Sequence, residues 1–166
     1  MLGVSKSGLY SHFGSKEQLQ LETIETAQAI FQREVFSPVL EAPAGLARLE
    51  RLIEVYFSYV ERWVFPGGCF FASLLAEADA RTDAIHDLVV SIERDWAEAL
   101  SDFVRSAQAN GEVVADADVS QLVFEFNASL EMANYLFVLF RDPAILVRGR
   151  RAAAGVLQWS RRAQLP

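Results

Sequence analysis

The residues best suited to chemistry form one acidic group in the middle of the chain: Glu77, Asp79, Asp83, His86 and Asp87. Residues three and four apart share a helix face, so Asp83, His86 and Asp87 could offer oxygen and nitrogen ligands to a cation. The same residues also suit a solvated helix start, because the helix dipole favours carboxylates near an N-terminus. We favour this second interpretation and expect no metal site.

Catalysis finds little support in the remaining residues. The chain has two histidines, His12 and His86, and one cysteine, Cys69, with no base beside it in the sequence. It has no Gly-rich phosphate loop and no pair of metal ligands at a known spacing. We therefore expect neither an enzyme nor a bound cofactor, and we interpret Cys69 as a buried small side chain rather than a reactive thiol.

The composition favours a helical protein that stays in the cytoplasm. Of the 166 residues, 52% are hydrophobic, which is enough for a sizeable core, and the few Gly and Pro residues are clustered. A single cysteine forms no internal disulfide, and the first residues lack a secretory signal. The apolar runs are also shorter than the roughly 20 residues that cross a bilayer, so we expect no membrane association.

The elements that must position any site are helices, because apolar residues recur every three or four positions. The clearest helix is predicted from a cap at Thr82 to Gly111. From Val119 to Phe140 the apolar residues surround the helix, which must then be covered on both sides. A last helix starts at Pro143, and its small residues 152–155 permit a close backbone approach. The fold class is therefore all-α, a helical bundle.

The N-terminal end differs from the rest in charge and in its helix signals. Residues 1–16 carry a charge of +2 within a chain of net charge −7, so any contact with DNA should be confined to this end. Ser15 to Gln18 has the form of a capping box, in which the Ser15 and Gln18 side chains each satisfy a free backbone N–H. The helix that follows is predicted to stop at Ser37-Pro38.

Residues 3–19, GVSKSGLYSHFGSKEQL, resemble the recognition helix and the following helix of the TetR family of transcriptional regulators. Small residues at the start of a short helix can enter a major groove, and by similarity to the family other residues contact phosphates. The DNA-binding residues expected on these grounds are Ser5, Lys6, Ser7, Gly8, Tyr10, His12 and Lys16. The resemblance implies a partial headpiece with a connecting helix at residues 1–36 and a ligand-binding and dimerisation domain at residues 37–166.

A complete helix-turn-helix needs helices before the recognition helix, whereas this chain begins with Met1 directly in front of it. We therefore expect a TetR-like regulatory domain with the remnant of a headpiece, and poor DNA binding by these 166 residues alone. A coding frame upstream with another pair of helices would restore a complete repressor.

In this family the C-terminal helices bind a small molecule and form a dimer, which implies two further sets of residues. Aromatic and polar side chains favour an apolar or aromatic effector, although aromatic residues at helical spacing more often belong to a core. The expected ligand-binding residues are Phe57, Trp63, Phe70, Trp96, Phe103, Phe126, Asn127, Glu131, Asn134 and Tyr135. The expected dimer-interface residues are Phe124, Leu136, Phe140, Val156, Leu157 and Trp159.

Two functions agree with these patterns. The first is a ligand-responsive transcriptional regulator, most simply a repressor, that binds operator DNA as a homodimer. The second is a helical dimer without a headpiece, which binds a ligand or a protein but not DNA.

Overall fold

The computed structural model describes residues 14–78 and 82–162, with the backbone alone described at residues 159, 161 and 162. Throughout these ranges the regular elements are helices, which confirms the all-α fold class. They are α1 (Lys16–Phe31), a π-helical turn (Gln32–Phe36), α2 (Ser37–Leu40), α3 (Leu46–Glu61), α4 (Phe70–Ala78), α5 (Ala84–Ala109), α6 (Val119–Phe140) and α7 (Pro143–Arg162).

Helix α1 starts at the predicted cap, but only half of the predicted capping box forms. The Ser15 hydroxyl accepts a hydrogen bond from the Gln18 backbone N–H at 3.0 Å. The Gln18 side-chain amide donates instead to the Glu22 carboxylate, one turn further along, at 3.1 Å. The Ser15 bond satisfies one of the free N–H groups at the helix start, which is what defines the boundary.

The predicted stop at Ser37-Pro38 is wrong, because the chain continues from α1 through the π-helical turn into α2. Pro38 is the second residue of α2, directly after the π-helical turn, and it does not end the helical segment. A π-helical turn bonds each residue to the fifth along the chain, so residues five apart come to face the same side. Phe31 and Phe36 both face the interior for this reason.

Helix α3 is the centre of the bundle, and most of its side chains are buried. Its start is fixed from outside: the Leu46 backbone N–H donates to the Glu112 carboxylate, just beyond the end of α5, at 2.9 Å. The preceding residue, Gly45, has a φ of 106°, a conformation that a side chain would strain.

Helix α5 begins one residue later than the sequence predicts. Asp83, and not Thr82, is its cap, since the Asp83 carboxylate accepts a hydrogen bond from the His86 backbone N–H at 3.3 Å. Both residue types are good caps, and the backbone conformation decides between them. The helix ends at Ala109, close to the predicted stop at Gly111.

Helices α6 and α7 form an antiparallel pair, with the predicted break at Pro143 as the first residue of α7. The close approach between them occurs at Gly149, where an added Cβ would meet the Ala133 side chain and lie 2.7 Å from the Phe57 ring. The small residues 152–155 are not part of this contact at Gly155, where a Cβ would meet nothing within 4 Å in the same chain, and the close approach predicted for them stays a prediction.

One hydrophobic core runs from α1 to α7. It includes Ile24, Ala27 and Val35 from the N-terminal part together with residues of the body, so the division at residues 36 and 37 stays a prediction. No helix in the described ranges is both long enough and apolar enough to span a membrane.

Candidate ligand-binding cavity

A cavity of about 240 Å³ lies between α1 and the body of the bundle. That space suits a small organic molecule. Helices α1, α3, α4, α5 and α6 and the π-helical turn all contribute to its wall. The lining residues are Gln28, Phe31, Gln32, Phe36, Tyr56, Cys69, Phe71, Ala72, Ile92, Glu93, Asp95, Trp96, Asn127 and Glu131.

The apolar side of the cavity is a connected set of aromatic rings. The Phe31 ring packs edge to face against the rings of Trp96 and Phe71, with 5.7 Å and 5.5 Å between the ring centroids. The Phe36 ring also contacts Trp96, with 6.2 Å between the ring centroids. Such edge-to-face pairs stabilise each other beyond their buried area, so these rings form a preorganised apolar wall.

The polar side is a chain of hydrogen bonds that ends in a carboxylate. Trp96 Nε1 donates to Asn127 Oδ1 at 2.8 Å, and Asn127 Nδ2 donates to Glu131 Oε1 at 3.0 Å. An indole N–H can only donate, so it fixes the orientation of the Asn127 amide, whose NH₂ group must then face an acceptor. The Glu131 carboxyl is therefore held in place on the cavity wall.

Two carboxyl groups on this wall have raised pKa values. Burial raises the pKa of Glu93 to about 7, and the nearby charge of Glu131 adds to the effect. Burial also raises the pKa of Glu131, while the hydrogen bond from Asn127 lowers it. Desolvation and a like charge both disfavour the ionised form, so this wall holds negative charge at a cost in free energy.

Tyr56 and Cys69 face the cavity as neutral groups. Burial raises the pKa of both side chains, and for Tyr56 the proximity of Cys69 adds to the increase. Cys69 is buried, as the sequence predicts. Its backbone N–H donates to Asn134 Oδ1 at 2.8 Å, and Asn134 is itself only 3% exposed, so an α6 side chain fixes the turn that carries the thiol.

The cavity brings together three of the residues that the sequence proposed for ligand binding: Trp96, Asn127 and Glu131. The other proposed residues lie outside this cavity; they are Phe57, Trp63, Phe70, Phe103, Phe126, Asn134 and Tyr135. Phe57 and Phe126 are core residues, Trp63 packs on Phe137, and Tyr135 is 63% exposed on the outer side of α6. Ligand contact by these residues stays a prediction.

Sequence analysis did not find Phe31, Phe36 or Glu93. The two phenylalanines belong to the segment that was assigned to the connecting helix, and their spacing of five residues fits no α-helical stripe. In the sequence Glu93 looks like an ordinary solvated residue on the polar face of an amphipathic helix. Only the packing of α6 beside α5 shows that this carboxyl is desolvated.

The proposed dimer residues fall into different environments. Phe124 and Phe140 are exposed by 69% and 64%, and Leu136 and Val156 are half-buried. Leu157, by contrast, is 7% exposed and belongs to the core of a single chain, and its contact with a second subunit stays a prediction. The side chain of Trp159 lies outside the described residues.

Of the proposed DNA-binding residues, the structure describes Lys16, which is exposed in the first residue of α1. The remaining six, Ser5, Lys6, Ser7, Gly8, Tyr10 and His12, lie outside the described residues.

Asp79 of the acidic group also lies outside the described residues. In the described part of that group Asp83 caps α5 and His86 Nδ1 lies 3.2 Å from Asp87 Oδ1. Within the described ranges no three acidic, histidine or cysteine residues are placed to hold a metal ion.

Comparison with known proteins finds a related sequence. The chain is 29% identical over 124 residues to the transcriptional regulator AcuR of Cereibacter sphaeroides, a match that covers 74% of this chain and 57% of that protein. The chain therefore spans somewhat more than half the length of this relative.

A solved structure shows the same fold. The crystal structure of a TetR transcriptional regulator from Chloroflexus aurantiacus J-10-FL superposes with a TM-score of 0.80 and 24% sequence identity, and the match covers 95% of this chain and 78% of that one. The sequence model described as tetracyclin repressor-like, C-terminal domain, matches residues 45–153, which is most of the chain. The chain therefore belongs to the TetR family, as the resemblance of its N-terminal residues predicts.

Proposed function

We propose that this chain is the regulatory body of a ligand-responsive transcriptional regulator, most simply a repressor. A small effector with an apolar or aromatic body occupies the cavity, and two copies of the chain pair through α6 and α7. The observation that carries the proposal is the cavity itself, because its wall combines the end of α1 with side chains of the central helices.

The position of the cavity supports a link between the effector and the N-terminal end. Phe31 and Phe36 line it from the last residue of α1 and from the π-helical turn, so a bound molecule contacts the helix that leads towards the expected DNA-binding residues. Glu34 in the same turn pairs with Arg62, just beyond the end of α3, at 3.0 Å. Hydrogen bonds from Arg62 and Arg33 lower the pKa of the Glu34 carboxyl. An effector that displaces α1 must act against these contacts.

Thermal denaturation with a panel of small molecules tests the effector. We expect aromatic compounds of about ten heavy atoms to raise the melting temperature and sugar phosphates to leave it unchanged. Ala72→Phe places a ring in the cavity and should abolish the increase. The matched control is Ala97→Phe at an exposed position on α5. A panel in which only sugar phosphates act would count against the proposal.

Pairing through α6 is supported by an exposed apolar stripe. The exposed apolar side chains of this stripe on α6 follow one another at spacings of eight, three and four residues; they are Phe124, Met132, Tyr135 and Leu139. Val147 adds to the same surface from α7. Contiguous exposed apolar surface of this kind is typical of an interface, since monomers rarely leave it in water.

Light scattering at micromolar concentration tests the pairing. We expect the wild-type chain at twice the 18.5 kDa of one copy. Leu139→Glu should give a monomer because it buries an unpaired charge in the contact. Leu75→Glu, at an exposed leucine on α4, is the control. A monomeric wild-type chain would refute the pairing.

DNA binding is proposed for the N-terminal end, with phosphate contacts by Lys16 and groove contacts by the residues that resemble the recognition helix. Selection from a pool of random duplexes by the gene product at its natural length tests this. We expect a palindromic sequence, because paired subunits present two equivalent reading elements. Ligand binding and pairing without any selected sequence would favour the alternative, a helical dimer that does not bind DNA.

A further inference from the structure

We propose that the molecule recognised by this cavity is an organic cation, with a positively charged nitrogen between Glu93 and Glu131 and an apolar body against the aromatic rings. This rests on the proposed function, since it names the chemical class of effector for the same cavity. The geometry contributes three observations: the charge of the wall, an acid without a partner, and the arrangement of the rings.

The titratable groups on the wall are acidic or neutral. Glu93 and Asp95 come from α5, Glu131 comes from α6, and the uncharged Tyr56 and Cys69 complete the set. Among the described residues that line the cavity there is no lysine, arginine or histidine. A carboxylate or phosphate ligand would meet like charges and no cationic partner, whereas a cation would meet complementary charge.

Glu93 is the acid that most needs a partner. It is partly buried, and no described residue donates a hydrogen bond to its carboxyl or forms an ion pair with it. Asn127 supplies one hydrogen bond to Glu131, which leaves part of that carboxyl unused as well. Buried or half-buried charges are normally paired with an opposite charge, so a bound cation would supply the missing partner of both carboxylates.

The rings supply the second half of a cation site. The Trp96 ring contacts the rings of Phe31 and Phe36, and its indole N–H is bonded to Asn127, which leads to Glu131. The face of an aromatic ring attracts a cation, and tryptophan attracts it most strongly. An ammonium group bearing methyl or aryl substituents could contact both the carboxylates and the aromatic rings that line this one cavity.

Three probes of similar shape and different charge test the inference: benzyltrimethylammonium, its uncharged carbon analogue neopentylbenzene, and phenylacetate. We expect the cation to bind at least about tenfold more tightly than either of the others, as measured by calorimetry or tryptophan fluorescence. Glu131→Gln and Glu93→Gln should each weaken cation binding about tenfold. The control, Glu98→Gln, changes an exposed acid on the same helix and should have no effect.

The pH dependence separates a cation from a neutral ligand. Because the pKa of Glu93 is about 7 and Glu131 is its charged neighbour, the carboxylate needed by a cation is mostly protonated at pH 6. Affinity for the quaternary cation, which does not titrate, should rise about tenfold from pH 6 to pH 8, with proton release on binding at pH 6. A neutral ligand that used the protonated acid would bind more weakly as the pH rises.

The outcomes distinguish the two proposals. Equal or tighter binding of neopentylbenzene or phenylacetate, abolished by Ala72→Phe, would refute the cation and leave the effector cavity intact. Cation binding that is unchanged in both glutamine variants would also refute it. Failure of all three probes overturns the cation proposal, while the melting-temperature panel and the DNA selection decide the regulatory function separately.

Discussion

Replacing Glu93 by glutamine should stabilise the unliganded protein at high pH and leave its stability nearly unchanged at low pH. The folded chain raises the pKa of this carboxyl from its ordinary value of 4.5 to about 7. The folded state therefore binds a proton more tightly than the unfolded state between these pH values. As the pH rises from 4.5 to 7 the wild-type protein loses stability from this group, and above pH 7 the loss is complete.

The magnitude follows from the size of that pKa change. At about 1.4 kcal/mol for each tenfold change in proton affinity, the rise from 4.5 to about 7 corresponds to roughly 3 kcal/mol for a fully buried group. Glu93 retains some contact with water, and screening there reduces the effect, so we expect about 1–2 kcal/mol at pH 8. Glutamine has no ionised form and escapes this cost.

The assay is urea unfolding of wild type, Glu93→Gln and the control Glu98→Gln at pH 5, 6, 7 and 8, at one protein concentration. The quantity of interest is the difference between variant and wild type, because pH effects shared by the whole chain cancel in it. That difference should grow with pH for Glu93→Gln and stay flat for the control. A difference independent of pH, or a variant less stable than wild type at pH 8, would refute the reasoning.

Three further changes test the packing and the helix ends. Gly149→Ala should destabilise the fold by about 1–3 kcal/mol in thermal denaturation, because its methyl group overlaps α6 and α3, whereas Gly155→Ala should stabilise it by about 0.5–1 kcal/mol. Asn134→Leu should cost about 1–3 kcal/mol in urea unfolding, since it leaves the buried Cys69 N–H without its acceptor. Ser15→Ala removes a helix cap worth about 1 kcal/mol and should speed amide exchange in the first turn of α1.

Each of these changes has an outcome that contradicts its premise. Equal melting temperatures for the two glycine variants would mean that α6 and α7 are not in close contact at Gly149. An unchanged urea midpoint for Asn134→Leu would show that the turn does not depend on this hydrogen bond. Unaltered exchange in the serine variant would place the start of α1 elsewhere.

Local signals explain what the sequence could predict. The cap at Ser15, the long helix α6 and the start of α7 at Pro143 depend on residues that act on their own neighbours, and all three are found. Thr82 and Asp83 are both good caps, so the sequence could not choose between them. Ser37-Pro38 resembles a helix stop, yet Pro38 lies directly after a π-helical turn and the helical segment continues through it.

The site was less predictable because it depends on which helices pack together. Trp96, Asn127 and Glu131 could be selected as aromatic and polar residues on neighbouring predicted helices, and they do line one cavity. Whether they bind a ligand remains a prediction. Phe31 and Glu93 could not be selected, since the side of a helix that faces a cavity is set by contacts between elements distant in sequence.

The π-helical turn determines which face of α1 packs against the core. Residues Gln32–Phe36 hold one residue more than an α-helical connection would need. If the same residues formed a regular α-helix instead, the extra residue would turn α1 by about 100° around its own axis and move it outward by about 1.5 Å. Ile24 and Ala27 would leave the core, and the polar face of α1 would enter it. The face that α1 presents to the core is thus set by how this turn, next to the cavity, accommodates one inserted residue.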